Sequence, residues 1–393
     1  MKIYSRCHRS WGSVATSKRF FCNSQIAQDY EQIIPSMDEY KKASKFFKKG
    51  DYNLAATYYK DLLNITRLPL QKHQWCGIKD GWSDSYRNSK LLLKIYDRLA
   101  YSYLYTKKED ASDLFEFCND LFNPDISFPL QTKHLLTKFV MDDATSAHKG
   151  FDALQKDENL SQEYRSVAKN NLAVMKFHKF QESLREANHD FNKLDEKAIF
   201  EGEQILTLLK ESIKGFENTN QRSEEDAKTL QSLLDVNSYG PEEFYNNSGK
   251  AQFFDVVKHP LSGITLTNIC EEMLLQGPRM DKKHTSFWYV AGLKFHEKYE
   301  TGFLARHLTL LAIFYHAQER TMIAEGLLTR ALELTKGKGD IHEAFTFKIY
   351  GHILRSKPSR VNESEKFTTR ATEIEQQLVP WTSKLVQMHI PVV

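Results

Sequence analysis

The side chains that could perform chemistry are spread along this chain without the spacing that a catalytic or metal site requires. Four histidines fall in helical stretches, but no two of them share a face with a carboxylate ligand: His134, His148, His178 and His189. A glycine-rich phosphate loop, H-E-x2-H and G-x-S-x-G are all missing from the sequence. The sequence therefore predicts no catalytic residue, no metal ligand and no cofactor, and we do not expect an enzyme.

Adjacent ionisable residues also have a plain structural explanation. Glu271 and Glu272 are typical of a solvated helix face, and Tyr315, next to His316, falls on a packing position of its helix. Residues on helix faces not needed for packing are better candidates for binding than for catalysis. Six of these are predicted to line a groove for a partner: Asn268, Glu272, Arg306, Thr309, Ile313 and His316.

The element that must position these residues is a pair of short amphipathic helices in 305–334. Leu308, Leu311, Ala312 and Tyr315 share one face of the first helix. A second stripe follows a polar turn: Ala324, Leu327, Leu328, Ala331 and Leu332. Two such stripes bury each other only in part, so we expect neighbouring copies of the hairpin.

Further copies of the hairpin can be traced on both sides of this one. The clearest spans 38–63, where Gly50 ends the first helix and Ala55-x3-Tyr59 marks the second. Looser copies are predicted at 85–122, in the helical stretches of 132–216, at 259–291 and at 350–374. The loop 67–84, which contains Trp75 and Trp82, is expected to fold back onto the helices or to bind a partner.

The residue pattern resembles that of the tetratricopeptide repeat, with its W-x2-L-G-x2-Y and A-x3-F positions. Leu308, Leu311, Ala312 and Tyr315 match the first helix, and Ala324-x3-Leu328 matches the second. The step from Leu266 to Leu308 is 42 residues, against about 34 in the ordinary unit. This long period is similar to that of kinesin light chains and of mitochondrial tetratricopeptide proteins, including those that attend the Rieske subunit of respiratory complex III or adapt the i-AAA protease.

The resemblance implies an all-α fold, a superhelical stack of antiparallel helix hairpins of the tetratricopeptide-like α-solenoid type. We place N-terminal helical repeats at 37–216 and C-terminal tetratricopeptide repeats at 251–393. The polar stretch 217–250 reads as a linker or an insertion, with one short helix at 224–234.

The first residues have the composition of a mitochondrial transit peptide, which we place at 1–21. Five basic residues precede the first acidic one, Asp29: Lys2, Arg6, Arg9, Lys18 and Arg19. A disordered basic tail is the alternative, and a secretory signal is disfavoured because no apolar run follows. The five scattered cysteines favour free thiols in a reducing compartment, and hence the matrix.

Charge and hydropathy limit the partners. Removing the five basic residues from 54 leaves 49 against 51 acidic residues, so the net charge changes from +3 to −2. A chain near neutrality has no global attraction for nucleic acid. No apolar run approaches the ~20 residues that cross a membrane, so we predict no transmembrane segment, and any association with the inner membrane would be peripheral.

These observations predict a mitochondrial protein-binding scaffold or adaptor, with a role in assembly or quality control of inner-membrane complexes. The partner is expected to be a protein or peptide lying in the groove that stacked hairpins form. The alternative is an RNA-associated helical-repeat factor in mitochondrial gene expression, although the irregular spacing departs from a base-reading repeat. The residues do not reveal the oligomeric state.

Overall fold

The computed structural model describes residues 31–66, 68, 88–106, 108–122, 124–219, 224–234, 256–276, 282–299 and 301–392. Within these ranges every regular element is a helix. The predicted transit peptide 1–21 and the tryptophans of the loop 67–84 lie outside them. The predicted fold class is confirmed: the fold is all-α, and its helices pack against their consecutive neighbours in the manner of a helical-repeat solenoid.

The chain divides into two compact units. The first consists of residues up to Asp142 together with Ile390–Val393. Its helices are α1 (Asp38–Lys48), α2 (Tyr52–Ile65), α3 (Lys90–Leu104), α4 (Lys108–Leu121) and α5 (Pro124–Val140). Consecutive helices pack together from α1 to α5, and α3 also contacts α5.

The predicted hairpin at 38–63 is the start of this unit. Gly50 takes a φ of 77° between α1 and α2, a backbone conformation that glycine reaches without the steric cost of a Cβ. The Asp51 side chain then accepts a hydrogen bond from the Leu54 N–H and caps α2. Ala55 and Tyr59 are fully buried, as their consensus positions predict.

The first unit contains a buried ion pair. The Lys133 ammonium of α5 donates to the Asp97 carboxylate of α3 and to the Pro391 carbonyl, and both charged side chains are fully buried. Burial lowers the pKa of Lys133, while the Asp97 charge opposes that shift. The pair fixes α5 on α3 at the cost of removing two charges from water.

The second unit spans Asp143–His389. Its first helices are α6 (Ala144–Lys156), α7 (Gln162–Glu186), α8 (Glu196–Asn218) and α9 (Glu224–Leu234). Three hairpins follow: α10 (Ser262–Gln276) with α11 (Lys282–Lys298), α12 (Leu304–His316) with α13 (Thr321–Thr335), and α14 (Ile341–Arg355) with α15 (Val361–Gln377). The last element is α16 (Thr382–Leu385).

The hairpins of the second unit stack through their first helices. Helix α12 packs against both α10 and α14, in addition to its partner α13. We call α10, α12 and α14 the inner helices. The hairpin predicted at 305–334 is thus present, with a copy on each side.

The linker predicted at 217–250 is described only in part. Its helix α9 matches the short helix predicted at 224–234, and most of its other residues lie outside the described ranges. The two compact units meet at Asp142 in the chain, and α8 packs against α10 within the second unit. The predicted domain bounds stay a prediction.

Two of the cysteines are described, and both are buried free thiols, Cys118 and Cys270. Among the described residues, no helix combines the length and the apolar character that crossing a membrane requires.

Candidate functional site

A stretch of the chain itself lies against the helices of the second unit. We call Leu385–His389, which follows α15 and includes the end of α16, the docked segment. Leu385, Gln387, Met388 and His389 are all buried, although the residues after Leu385 are not helical. The surface beneath them is formed by α7, α8 and α10.

Asn171 of α7 holds both main-chain polar groups of one residue. Its carboxamide oxygen accepts from the His389 N–H at 2.8 Å, and its carboxamide NH2 donates to the His389 carbonyl at 2.9 Å. A carboxamide carries one acceptor and two donor hydrogens, so it can satisfy the donor and the acceptor of a residue in an extended chain. This contact recognises main chain and is indifferent to the side chain.

Two more asparagines hold the Gln387 carbonyl. The NH2 of Asn268, on α10, donates to it at 2.9 Å, and that of Asn170, on α7, donates at 3.3 Å. Asn268 also donates to the Asn170 carboxamide oxygen at 3.0 Å, which ties the two helices together. Asn170 and Asn171 are fully buried, and Asn268 is 4% exposed. We call Asn170, Asn171 and Asn268 the asparagine clamp.

The side chains of the docked segment make their own contacts. The Gln387 amide donates to the Glu271 carboxylate. The Thr265 hydroxyl donates to Asn170 at 3.1 Å, so the His389 Nε2, also 3.1 Å from that hydroxyl, must be the donor to it. The His389 ring meets Phe216 of α8 edge to face, with 5.2 Å between the ring centroids.

The environment of His389 favours the neutral ring. Burial lowers the pKa of His389 to about 3, and the nearby His259 acts in the same direction. A neutral imidazole with its proton on Nε2 agrees with the bond to Thr265.

The structure brings two of the six predicted groove residues to the docked segment. Asn268 contacts it directly, as described above. Arg306 of α12 reaches it through an ion pair with Glu271, and its guanidinium lies 4.7 Å from the centre of the Phe345 ring. Glu271, which the sequence suggested to be solvated, is 8% exposed and links Gln387 to Arg306.

Two other predicted residues, Thr309 and Ile313, serve contacts between helices. The hydroxyls of Thr309 and Thr346 lie 2.9 Å apart and join α12 to α14. Ile313 is half-buried against the main apolar cluster of this unit.

The last two, Glu272 and His316, lie apart from the docked segment. Glu272 accepts from Gln276 at 2.6 Å, and burial raises the pKa of its carboxyl to about 8. His316 is half-buried at the last position of α12, and within the described part of the chain its Nδ1 has no hydrogen-bond partner. A role for any of the six residues in partner binding stays a prediction.

An open cavity of about 560 Å³ adjoins the docked segment. Its walls include Arg306 from α12 and Ile341, Phe345, Ile349 and His352 from α14, and the docked segment contributes Val386. The cavity is therefore a continuation of the inner-helix surface that the chain itself leaves unfilled.

Sequence reasoning missed the two asparagines of α7. The pattern of this helix predicts only an apolar packing face, because Leu172, Ala173 and Phe177 recur at helical spacing. The available signal was the Asn-Asn pair beside that stripe, because asparagine is a poor helix former and a costly residue to bury unpaired. The docked segment itself gave no periodic signal.

The geometry defines a class: an all-α helical-repeat protein whose second unit carries a surface that holds a non-helical stretch of main chain. No protein-family model matches the chain, and no curated protein is significantly similar to it.

Proposed function

We propose that this chain is a mitochondrial scaffold or adaptor of the tetratricopeptide type, which binds an extended segment of a partner protein on the second unit. We place its work in the assembly or quality control of inner-membrane complexes. The observation that carries the proposal is the asparagine clamp, in which buried carboxamides grip the main chain of the docked segment.

The energetics of the clamp support a binding role. A buried polar group left without a partner costs about 1–3 kcal/mol, so three buried carboxamides are unfavourable unless a main chain lies across them. Apolar side chains at these positions would pack α7 against α10 without this requirement. The clamp therefore favours a main chain that offers it a carbonyl and an N–H.

The tetratricopeptide type and the mitochondrial location are supported by sequence alone. The hairpin at 305–334 has the consensus positions of that repeat, and 1–21 have the composition of a transit peptide. Peptide binding in the concave groove is the common mode of stacked helical hairpins.

Site-specific photo-crosslinking in isolated mitochondria tests the proposal. A photoreactive residue at His352, which is exposed and lines the cavity, should give defined protein adducts. The matched control is Met322 of α13, which is 87% exposed and outside the cavity lining.

The Asn171→Ala substitution should remove the adducts at His352. Adducts that form equally from both positions, that persist in Asn171→Ala, or that consist of RNA would contradict the proposal. Targeting is tested separately by imaging a tagged chain with and without residues 1–21, and cytosolic retention of the full chain would refute the location.

A further inference from the structure

The docked segment lies where a partner peptide would have to lie. We propose that the docked segment and the partner bind this surface in a mutually exclusive way, and that the partner carries a stretch of the same chemistry, an aliphatic residue followed two positions later by Gln-x-His. This proposal rests on the proposed function and adds to it the class of peptide and the internal competitor.

The contacts of the docked segment are those of a reversible ligand. Two backbone hydrogen bonds, from the Val386 N–H to Thr382 and from the Met388 N–H to Leu385, continue the turn after α16, and beyond them side chains hold the main chain at Gln387 and His389. Each hydrogen bond contributes about 0.5–1.5 kcal/mol net. Leu385 and Met388 are the two apolar side chains that it buries fully. Such a set of contacts permits exchange with a second peptide that offers the same groups.

The side-chain contacts define the Gln-x-His preference. Glu271 accepts from Gln387 and is already paired with Arg306, so a carboxylate at the partner's glutamine position would meet Glu271 and be repelled. At the histidine position the ring has a flat aromatic neighbour, Phe216, and a hydroxyl, Thr265, at hydrogen-bond distance. A planar ring with one N–H donor fits both.

The open cavity gives the partner a place to start. Val386 of the docked segment lines it together with apolar side chains of α14 such as Phe345 and Ile349. A peptide that places an aliphatic side chain there gains apolar contact before any bond of the docked segment breaks. Displacement can then proceed stepwise along the clamp.

Occupancy by the docked segment reduces the apparent affinity for a partner. If the surface is free in only about one molecule in a hundred, the measured Kd rises about 100-fold over the intrinsic value. Substitutions that weaken the contacts of the docked segment should lower the measured Kd for the partner. Substitutions in the clamp should not, because the partner needs the same asparagines.

A labelled synthetic peptide of residues 381–392, WTSKLVQMHIPV, tests the proposal by fluorescence anisotropy. The full chain should bind it weakly. A Gln387→Ala/His389→Ala variant of the full chain should bind it at least ten times more tightly, because its own docked segment competes less well. Adding Asn171→Ala/Asn268→Ala to this variant should remove the gain. Equal affinity for the wild-type chain and the Gln387→Ala/His389→Ala variant would overturn the proposal.

Hydrogen exchange of the unmodified chain gives a second readout, which holds even if the variant fails to fold. The His389 amide, protected by Asn171, should exchange through local opening at least tenfold faster than the amides in the middle of α10 and α12. Exchange at the same rate as those helices would show that the segment leaves only on global unfolding, and would overturn the proposal. If the His352 adducts form but peptide 381–392 does not compete with them, the proposed function stands and this inference falls.

Discussion

Asn171 and His389 form a two-bond pair in which one carboxamide meets both polar main-chain groups of one residue, at 2.8 and 2.9 Å. The two residues are 218 positions apart in sequence. The pair therefore joins the second helix of the second unit, α7, to the last residue of that unit. Helical hairpins by themselves provide only contacts between near neighbours.

Replacing Asn171 by alanine should destabilise the second unit by about 1–3 kcal/mol, because the His389 N–H and carbonyl lose their partner while the segment stays buried. Urea unfolding followed by circular dichroism measures this. Asn362→Ala is the control, since Asn362 is exposed on α15 and should change the free energy of unfolding by less than about 0.5 kcal/mol. Equal effects of the two substitutions would contradict the role given to Asn171.

Glu272→Gln should change how stability depends on pH. Burial raises the pKa of Glu272 to about 8 from its ordinary 4.5, so between these values the folded chain keeps a proton that the unfolded chain releases. This group therefore makes the free energy of unfolding fall as pH rises from 4.5 to 8, with no further change above 8. Glutamine is neutral and can still accept from Gln276.

Unfolding at pH 5 and pH 9 measures this effect. The Glu272→Gln variant should gain stability relative to wild type at pH 9, by about 1 kcal/mol or more, and little at pH 5. Glu373→Gln, at an exposed position of α15, should show no such difference. A gain of the same size at both pH values would indicate that the carboxyl of Glu272 does not titrate in this range.

Lys133→Met should destabilise the first unit by about 3–5 kcal/mol, because it leaves the buried Asp97 carboxylate without its counter-charge. Adding Asp97→Leu should recover much of that loss, since the isolated charge is then removed as well. A double-mutant cycle by thermal unfolding checks the coupling. Additive effects of the two substitutions would mean that the ion pair contributes nothing.

Alanine substitutions at two helix glycines should change the free energy of unfolding in opposite directions. A Cβ on Gly351 of α14 would lie 2.7 Å from the Thr368 Oγ1 of α15, so Gly351→Ala should be destabilising. A Cβ on Gly326 of α13 would meet nothing within 4 Å, so Gly326→Ala should stabilise by about 0.5–1 kcal/mol through helix propensity. Melting temperatures measure both, and a tolerated Gly351→Ala would show that α14 and α15 can separate without cost.

The helices were predictable because their signal is local. The hairpin at 305–334 became α12 and α13 since its apolar residues recur at helical spacing, and the short helix predicted at 224–234 became α9. The glycine expected to end α1 has the positive φ that this role requires. Such features depend on residues within a few positions of each other.

The site was less predictable because it depends on residues far apart in sequence. The helical pattern places Asn268 and Arg306 on faces free of packing residues, so both can be predicted as groove residues. The role of Asn171 cannot be predicted in this way, because it depends on a contact with His389. Glu271, which the helical pattern places on a solvated face, is buried and accepts a hydrogen bond from Gln387, 116 positions away. Periodicity carries no information about a non-helical segment that returns to a surface formed much earlier in the chain.

The asparagine clamp contacts only main-chain atoms of the docked segment, and this has a consequence for how its ligands can vary. The three asparagines place no requirement on the side chains of the ligand, whose selection falls to Glu271, Thr265 and Phe216. Proline at the His389 position would lack the N–H from which Asn171 accepts a hydrogen bond. Backbone N-methylation there would block the same bond. A mirror-image peptide of identical composition would present its groups with the wrong handedness, so the clamp discriminates by backbone chirality where it is silent on sequence.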